Sequence, residues 1–284
     1  MKRTLSIFLL LLFSACIPRE PKEVLSRVDK KIYYPQREGL SGLFCQVESP
    51  YIDEMFNRIE QSMPQSKVIL DQIKIQVRFY WKNGMGARFV IIGIPKELPA
   101  LQDSVARIFK GTEILVVPPT ELEQFEGLSV SMKKNDDNLE LIGVNPDPKA
   151  ELKEYHLLIN PWKYLPLERR FVGEGYVSYS KLFYKTRKGH RYLTRIETLQ
   201  DLNQGADFKN LVELDYKEQN GFWLVSRMVY KTIVAETGKP VVGPVELIFT
   251  DCNTNGPMPV DIFTKGKIQF MEPAQTSGAN ASPP

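Results

Sequence analysis

The sequence predicts a mostly β protein with a few helices: a curved antiparallel sheet, or incomplete β-barrel, under a helical lid. Three observations predict it. From about residue 113 to 250 the chain is a succession of short runs with strand character, separated by turn-forming residues. Ahead of them lie two segments whose apolar residues recur at helical spacing on one face. The 20 Pro and 18 Gly, with 12 Tyr and 15 Phe, suit pleated strands joined by many turns.

The elements follow in order. Ser49-Pro50 opens a helix, because Ser caps free amides and Pro fits the first helical position. Ile52, Met55, Phe56, Ile59 and Met63 form its apolar face, and Pro64 ends it. Lys67 to Lys82 reads as a strand in which Ile73, Ile75, Val77, Phe79 and Trp81 alternate with polar residues and Tyr80. Asn83-Gly84 gives a turn, and Ala87 to Gly93 returns as a second strand. A helix from Glu97 to Lys110 places Leu98, Leu101, Val105, Ile108 and Phe109 on one side, with Gly111 as its stop. Strands are then predicted over Glu113–Val117, Leu128–Lys133, Leu139–Val144, Glu154–Ile159, Pro166–Val172 and Tyr176–Tyr184. Four more cover His190–Glu197, Leu211–Tyr216, Phe222–Val234 and Val245–Thr250. Short antiparallel strands at this spacing make a meander that curls or closes.

The first residues carry Lys2 and Arg3 ahead of an apolar run from Leu5 to Phe13, the form of a secretory signal. That run is too short to cross a bilayer, which takes about 20 residues. It ends in Phe13-Ser14-Ala15-Cys16, which resembles the bacterial lipobox. The resemblance implies cleavage between Ala15 and Cys16 and acylation of the Cys16 thiol with diacylglycerol or palmitate-type chains. Three chains anchor firmly where one binds only marginally. Ile17, in place of the Asp that retains many such proteins at the inner membrane, implies the outer membrane, facing the periplasm. The chain thus divides into a signal over 1–15, an acylated Cys and tether over 16–40, one β-rich domain over 41–255 and an extended, largely disordered tail over 256–284.

With Cys16 acylated, Cys45 and Cys252 remain as an even pair in an oxidising compartment, which favours a disulfide; two buried free thiols are the alternative. The 37 Lys plus Arg nearly balance the 34 Asp plus Glu, so no basic field exists to attract nucleic acid. Only His156 and His190 occur, one in an apolar strand and one at a turn, and neither has metal-type spacing or a serine elbow beside it. Gly84-Met85-Gly86 lacks the residues of a phosphate loop and reads as a hairpin turn. Asp136-Asp137 reads as a solvated turn, and Lys185 to Arg191 as a hairpin tip. No cofactor, no metal and no enzyme chemistry are expected.

The order of helix, hairpin, second helix and strand meander over about Val47 to Asp251 is similar to the lipoprotein-localisation fold of the LolA/LolB family. The segment Leu157 to Arg170, with Asn160-Pro161 and Leu165-Pro166 inside it, is similar to that family's strand, turn and strand. The resemblance implies an unclosed barrel whose helices cover an apolar cavity for a lipid or acyl-chain ligand. Arg88 is the one match offered for the family's buried lid-locking arginine. Ile73, Ile75, Val77, Phe79 and Trp81 are the residues expected to line such a cavity. The expected partners are the membrane, through the N-terminal lipid, and a hydrophobic ligand. The alternative is a non-catalytic structural or interaction lipoprotein with an envelope protein partner.

Overall fold

The structure, a computed structural model, describes residues 20–202 and 207–272. The signal region, Ala15, Cys16 and the tail beyond Glu272 lie outside the described residues. The helices are α1 (Pro21–Asp29), α2 (Pro50–Ser62), α3 (Lys67–Leu70), α4 (Pro99–Phe109), α5 (Glu113–Val116) and α6 (Glu121–Gln124). The strands are β1 (Gly42–Glu48), β2 (Gln76–Lys82), β3 (Gly86–Ile92), β4 (Ser129–Asn135), β5 (Asn138–Val144), β6 (Leu152–Asn160) and β7 (Leu165–Gly173). Then come β8 (Tyr176–Arg187), β9 (His190–Leu202), β10 (Phe208–Gln219), β11 (Phe222–Val234), β12 (Pro240–Thr254) and β13 (Ile268–Met271).

Hydrogen bonding joins them in one open sheet of 13 strands, ordered β13-β3-β2-β1-β12-β11-β10-β9-β8-β7-β6-β5-β4. The fold class is therefore the expected one, mostly β with a few helices. The pairs from β4 to β10 are antiparallel, as are those of β1 with β2 and β12, and β13 joins β3 in parallel. The chain divides into two compact units. Of the described residues, unit one comprises Glu20–Tyr34, Pro119–Leu214 and Tyr230–Gly243; unit two comprises Pro35–Pro118, Asp215–Val229 and Pro244–Glu272.

Unit one corrects the expected tether. Pro21 stands at the start of α1, where its missing N–H costs nothing, and Val24, Leu25 and Val28 fall on one face. That face is buried with Ile32, Tyr34, Phe125, Leu141, Tyr155, Leu157 and Ile159. Leu141 and Leu157 are cross-strand partners, and the Tyr155 ring stacks on Phe171 at 4.8 Å. Fully burying a Val or Leu side chain contributes about 1.5–3 kcal/mol, so each of the three helps to offset the entropy lost in ordering this segment.

Unit two packs α4 on one face of its sheet. Phe79 meets Phe89 at 5.3 Å and Phe249 at 5.8 Å, and Phe89 meets Phe109 of α4 at 4.9 Å. On the opposite face Tyr80 and Val90 are buried with Ile262 and Phe263. Tyr80, expected on the wet face of its strand, is thus covered by residues of the expected tail. That tail is structured as far as Met271: a 3-10 turn spans Val260–Thr264 and β13 follows it. Arg88 does not lock a lid. It donates to the carbonyls of Phe263 and Lys265, each at 3.2 Å, and fastens this C-terminal segment to β3.

Two further expectations change. Lys67 to Leu70 is helical rather than extended, and Glu113 to Val116 is a helical turn rather than a strand. A short apolar run fits either period, and packing decides between them. Here Thr112 donates its hydroxyl to the Phe109 carbonyl and turns the chain, which buries Val116 and Val117.

Candidate functional site

Unit two holds an open groove of about 760 Å³ beneath α2. Its roof comes from the amphipathic helix. Ile52 is buried, whereas Met55, Phe56 and Ile59 of the same face are only half-buried. On either side of Pro64, Met63, Val68 and Ile69 are 48%, 69% and 52% exposed. The helix is therefore apolar towards the groove without being sealed against it. Ile52 and Phe56 line the groove together with Ile73, Ile75 and Val77.

The groove floor is polar. Gln46 of β1 is the cross-strand partner of both Arg78 on β2 and Thr250 on β12, and all three face the groove. Arg78 reaches Gln76 at 3.5 Å, and its Nε is buried with no hydrogen-bond partner among the described residues. Ser49 precedes α2 but makes no side-chain cap, and its buried Oγ also finds no partner among them. Unspent donors at a helix start, beside a guanidinium, suit an oxygen-bearing group. Glu48, Asp53 and Asp251 bring exposed carboxylates to the same groove. One wall is apolar and the floor hydrogen-bonds, which is the surface that an amphiphile requires.

Two backbone features fix this shape. Gly93 has φ +101°, and a Cβ there would lie 2.1 Å from the Lys74 carbonyl oxygen. Only glycine lets the chain at Lys74 pass so close, and that passage sets Ile73 and Ile75 at the groove. The second feature is the disulfide between Cys45 and Cys252, with Cα atoms 4.1 Å apart. It joins β1 and β12 where their register shifts between Phe44 and Gln46, next to Gln46 and Asp251 of the groove.

Of the five residues expected to line a cavity, Ile73, Ile75 and Val77 do so. Phe79 and Trp81 do not: Phe79 is fully enclosed by Phe89 and Phe249, and Trp81 is buried farther along β2. Sequence reading missed Ser49, Arg78 and the glycine. Arg78 and Gln76 sit on the polar side of the alternation, which looks the same whether it meets solvent or a ligand.

Unit one contains a buried polar network that no local pattern announces. Asp29 at the end of α1 accepts from the amides of Glu121 and Leu122 at 2.9 and 3.2 Å. Glu121, fully buried, accepts from the Tyr155 hydroxyl at 2.8 Å and pairs with Arg169 on β7. Burial works against the Arg169 charge, but Glu121 and the surrounding tyrosines hold its pKa well above the ordinary guanidinium value. Burial, and then the nearby carboxylates of Glu121 and Asp29, push the Tyr34 hydroxyl well up. The one legible part is the capping box formed by Thr120 and Glu123 at the start of α6.

A second cleft of unit one, about 300 Å³, gathers Lys133, Glu140, His156, Glu168 and Arg170. His156 bridges Glu140 through Nδ1 and Glu154 through Nε2, each at 2.7 Å. Among the described residues lining this cleft there is no Ser, Thr or Cys for the imidazole to activate. Burial alone would raise the Glu140 pKa, but hydrogen bonds from His156, Lys133 and Asn135 outweigh it and hold the carboxyl below its ordinary value. A carboxyl with a depressed folded pKa stabilises the fold above its unfolded pKa, about 4.3, and loses that contribution as the pH falls through the folded value. Calorimetric melts of Glu140→Gln are therefore expected to fall less between pH 5 and pH 3 than those of the parent chain. Equal falls would remove Glu140 from the acid response.

No family model matches the chain, and no curated protein matches it. Among solved structures it is similar to a putative outer membrane lipoprotein-sorting protein domain from Vibrio parahaemolyticus, at 13% identity over 85% of this chain and 94% of that one, with a TM-score of 0.33. It is likewise similar to the LolA superfamily protein NE2245 from Nitrosomonas europaea, at 11% identity over 86% of this chain and 97% of that one, with a TM-score of 0.33.

Proposed function

We propose that this chain is a periplasm-facing, lipid-anchored outer-membrane lipoprotein that holds a lipid or acyl-chain ligand in the groove beneath α2 and performs no chemistry on it. The observation that carries the reading is the half-open roof. The apolar face of α2 stands over a groove of about 760 Å³ with Ile73, Ile75 and Val77 inside it. That volume falls within the ~300–1,000 Å³ of small-molecule sites. Apolar side chains left facing water cost about 25 cal/mol per Å², and an acyl chain laid along them relieves that cost. Gln46, Arg78 and the free end of α2 would meet the polar end of the same ligand. The anchor is supported by the lipobox-like Phe13-Ser14-Ala15-Cys16. A role in lipoprotein or lipid trafficking fits such a site.

The test is titration of the purified domain with an anthroyloxy-labelled stearate, alongside native mass spectrometry for lipid carried from the cell. Saturable binding is expected, and Phe56→Asp should weaken it tenfold or more, since a charge would then face the acyl chain. A parent protein that carries no lipid and leaves the probe unbound would end the proposal.

A second reading, an interaction lipoprotein of an envelope assembly, draws on Trp162. Its side chain is 77% exposed at the β6–β7 turn. Asn160 accepts from the amides of Trp162 and Lys163 at 3.1 and 2.9 Å and holds that turn in shape. A rigidly presented Trp is the kind of residue that anchors a protein interface. Trp162 does not line the groove, so Trp162→Ala separates partner binding from ligand binding.

A further inference from the structure

We infer that one acyl chain carried by Cys16 lies in an apolar groove of unit one, beside the start of α1. The inference rests on the lipoprotein reading above and adds the place where the protein's own lipid goes. This groove, distinct from the one beneath α2, measures about 660 Å³ and is bounded by Leu25, Leu122, Phe125 and Val130. Leu25 and Phe125 form its buried base at 2% and 4% exposure, while Leu122 and Val130 leave its walls half-buried.

The direction of the chain identifies the occupant. Glu20 and Pro21 also line the groove, so the polypeptide enters the described structure at its mouth. Cys16 precedes Glu20 by four residues. Even fully extended, four residues span at most about 14 Å, so the Cys16 thioether is tied within that distance of the groove. Ile17 lies as near but is far shorter than an acyl chain. Triacylation leaves a chain to spare, because two acyl chains in the bilayer already anchor firmly. An acyl chain needs only apolar walls, and the charged side chains of Glu20, Lys22, Glu123 and Glu126 are exposed, where they can stay at the rim.

The experiment uses the full-length protein made in bacteria fed a diazirine-bearing palmitate analogue, purified in detergent, irradiated and digested. The mass of the N-terminal peptide first reads whether Cys16 is acylated. Acyl adducts are then expected on the peptides around Leu25, Leu122 and Val130 at tenfold or more over any other peptide. Leu122→Asp combined with Val130→Asp should lower them tenfold. Leu122→Phe, which fills the groove without adding charge, should lower them too and covers the case in which the double variant fails to fold. Acylated protein with adducts only on detergent, or spread evenly over the surface, overturns the inference while leaving the anchor intact. Ile17 filling the groove gives that same even spread. An unmodified Cys16 overturns both the inference and the lipoprotein reading.

Discussion

Arg169→Ala should destabilise the protein by about 3–5 kcal/mol, because it strands a carboxylate in a dry interior. The Arg169 side chain is 13% exposed and that of Glu121 is fully buried, so solvent does little to screen the pair. With the guanidinium gone, Glu121 keeps the Tyr155 hydroxyl as a partner but no positive charge. Asp29 is bound to the α6 amides close by and adds a second negative charge to the same interior. Equilibrium urea unfolding followed by circular dichroism reads the loss as a lower midpoint with an unchanged slope. The double change Arg169→Met with Glu121→Leu removes both charges and should cost less than Arg169→Ala alone. If the two single losses simply add in the double variant, the ion pair is not what the buried site depends on.

Replacing Cys45 and Cys252 together with Ala should cost about 2–5 kcal/mol, and the same loss should appear in the parent protein on adding reductant. The two cysteines are 207 residues apart, so the bond closes most of the chain into one loop. On the chain-entropy view, a loop of that size places the loss at the upper end of the range. The bond also has a local consequence. It ties β1 to β12 beside Gln46 and Asp251, so its loss should weaken binding of the labelled stearate before the domain unfolds. Coincident urea midpoints with and without reductant would show that the bond contributes nothing to stability.

The architecture was readable where one local rule decides. Hairpins close at Asn83-Gly84, Lys188-Gly189 and Asn220-Gly221, and Gly84, Lys188, Gly189, Asn220 and Gly221 all have positive φ. Pro50 and Pro64 bracket α2 as expected. The misreadings occur where two rules compete. A tether is expected over 16–40, but Pro21 at a helix start, followed by Val24, Leu25 and Val28, is the signature of α1. The apolar alternation from Ile73 to Trp81 is continuous in sequence, yet the paired strand begins only at Gln76. Ile73 and Ile75 fall outside it because Gly93 lets the chain bend in against β3. The expected tail lacks a strong period, but Ile262 and Phe263 find an apolar face around Tyr80 and Val90. The Asp29, Glu121 and Arg169 cluster joins residues 92 and 48 positions apart, and no rule of spacing reaches that far.

β13 has a consequence for how the sheet is kept from foreign strands. It is the outermost strand on its side, four residues long, and it lies parallel to β3 from Phe89 to Ile92. Without it, β3 would offer Phe89-Val90-Ile91-Ile92 as an unpaired apolar edge, a template for intermolecular pairing. A four-residue strand in that place acts as a guard, because so short an edge is itself a poor template for pairing. Proteolysis that nicks the chain between Thr254 and Val260 and releases the guard would uncover that edge and favour aggregation rather than merely shorten the chain.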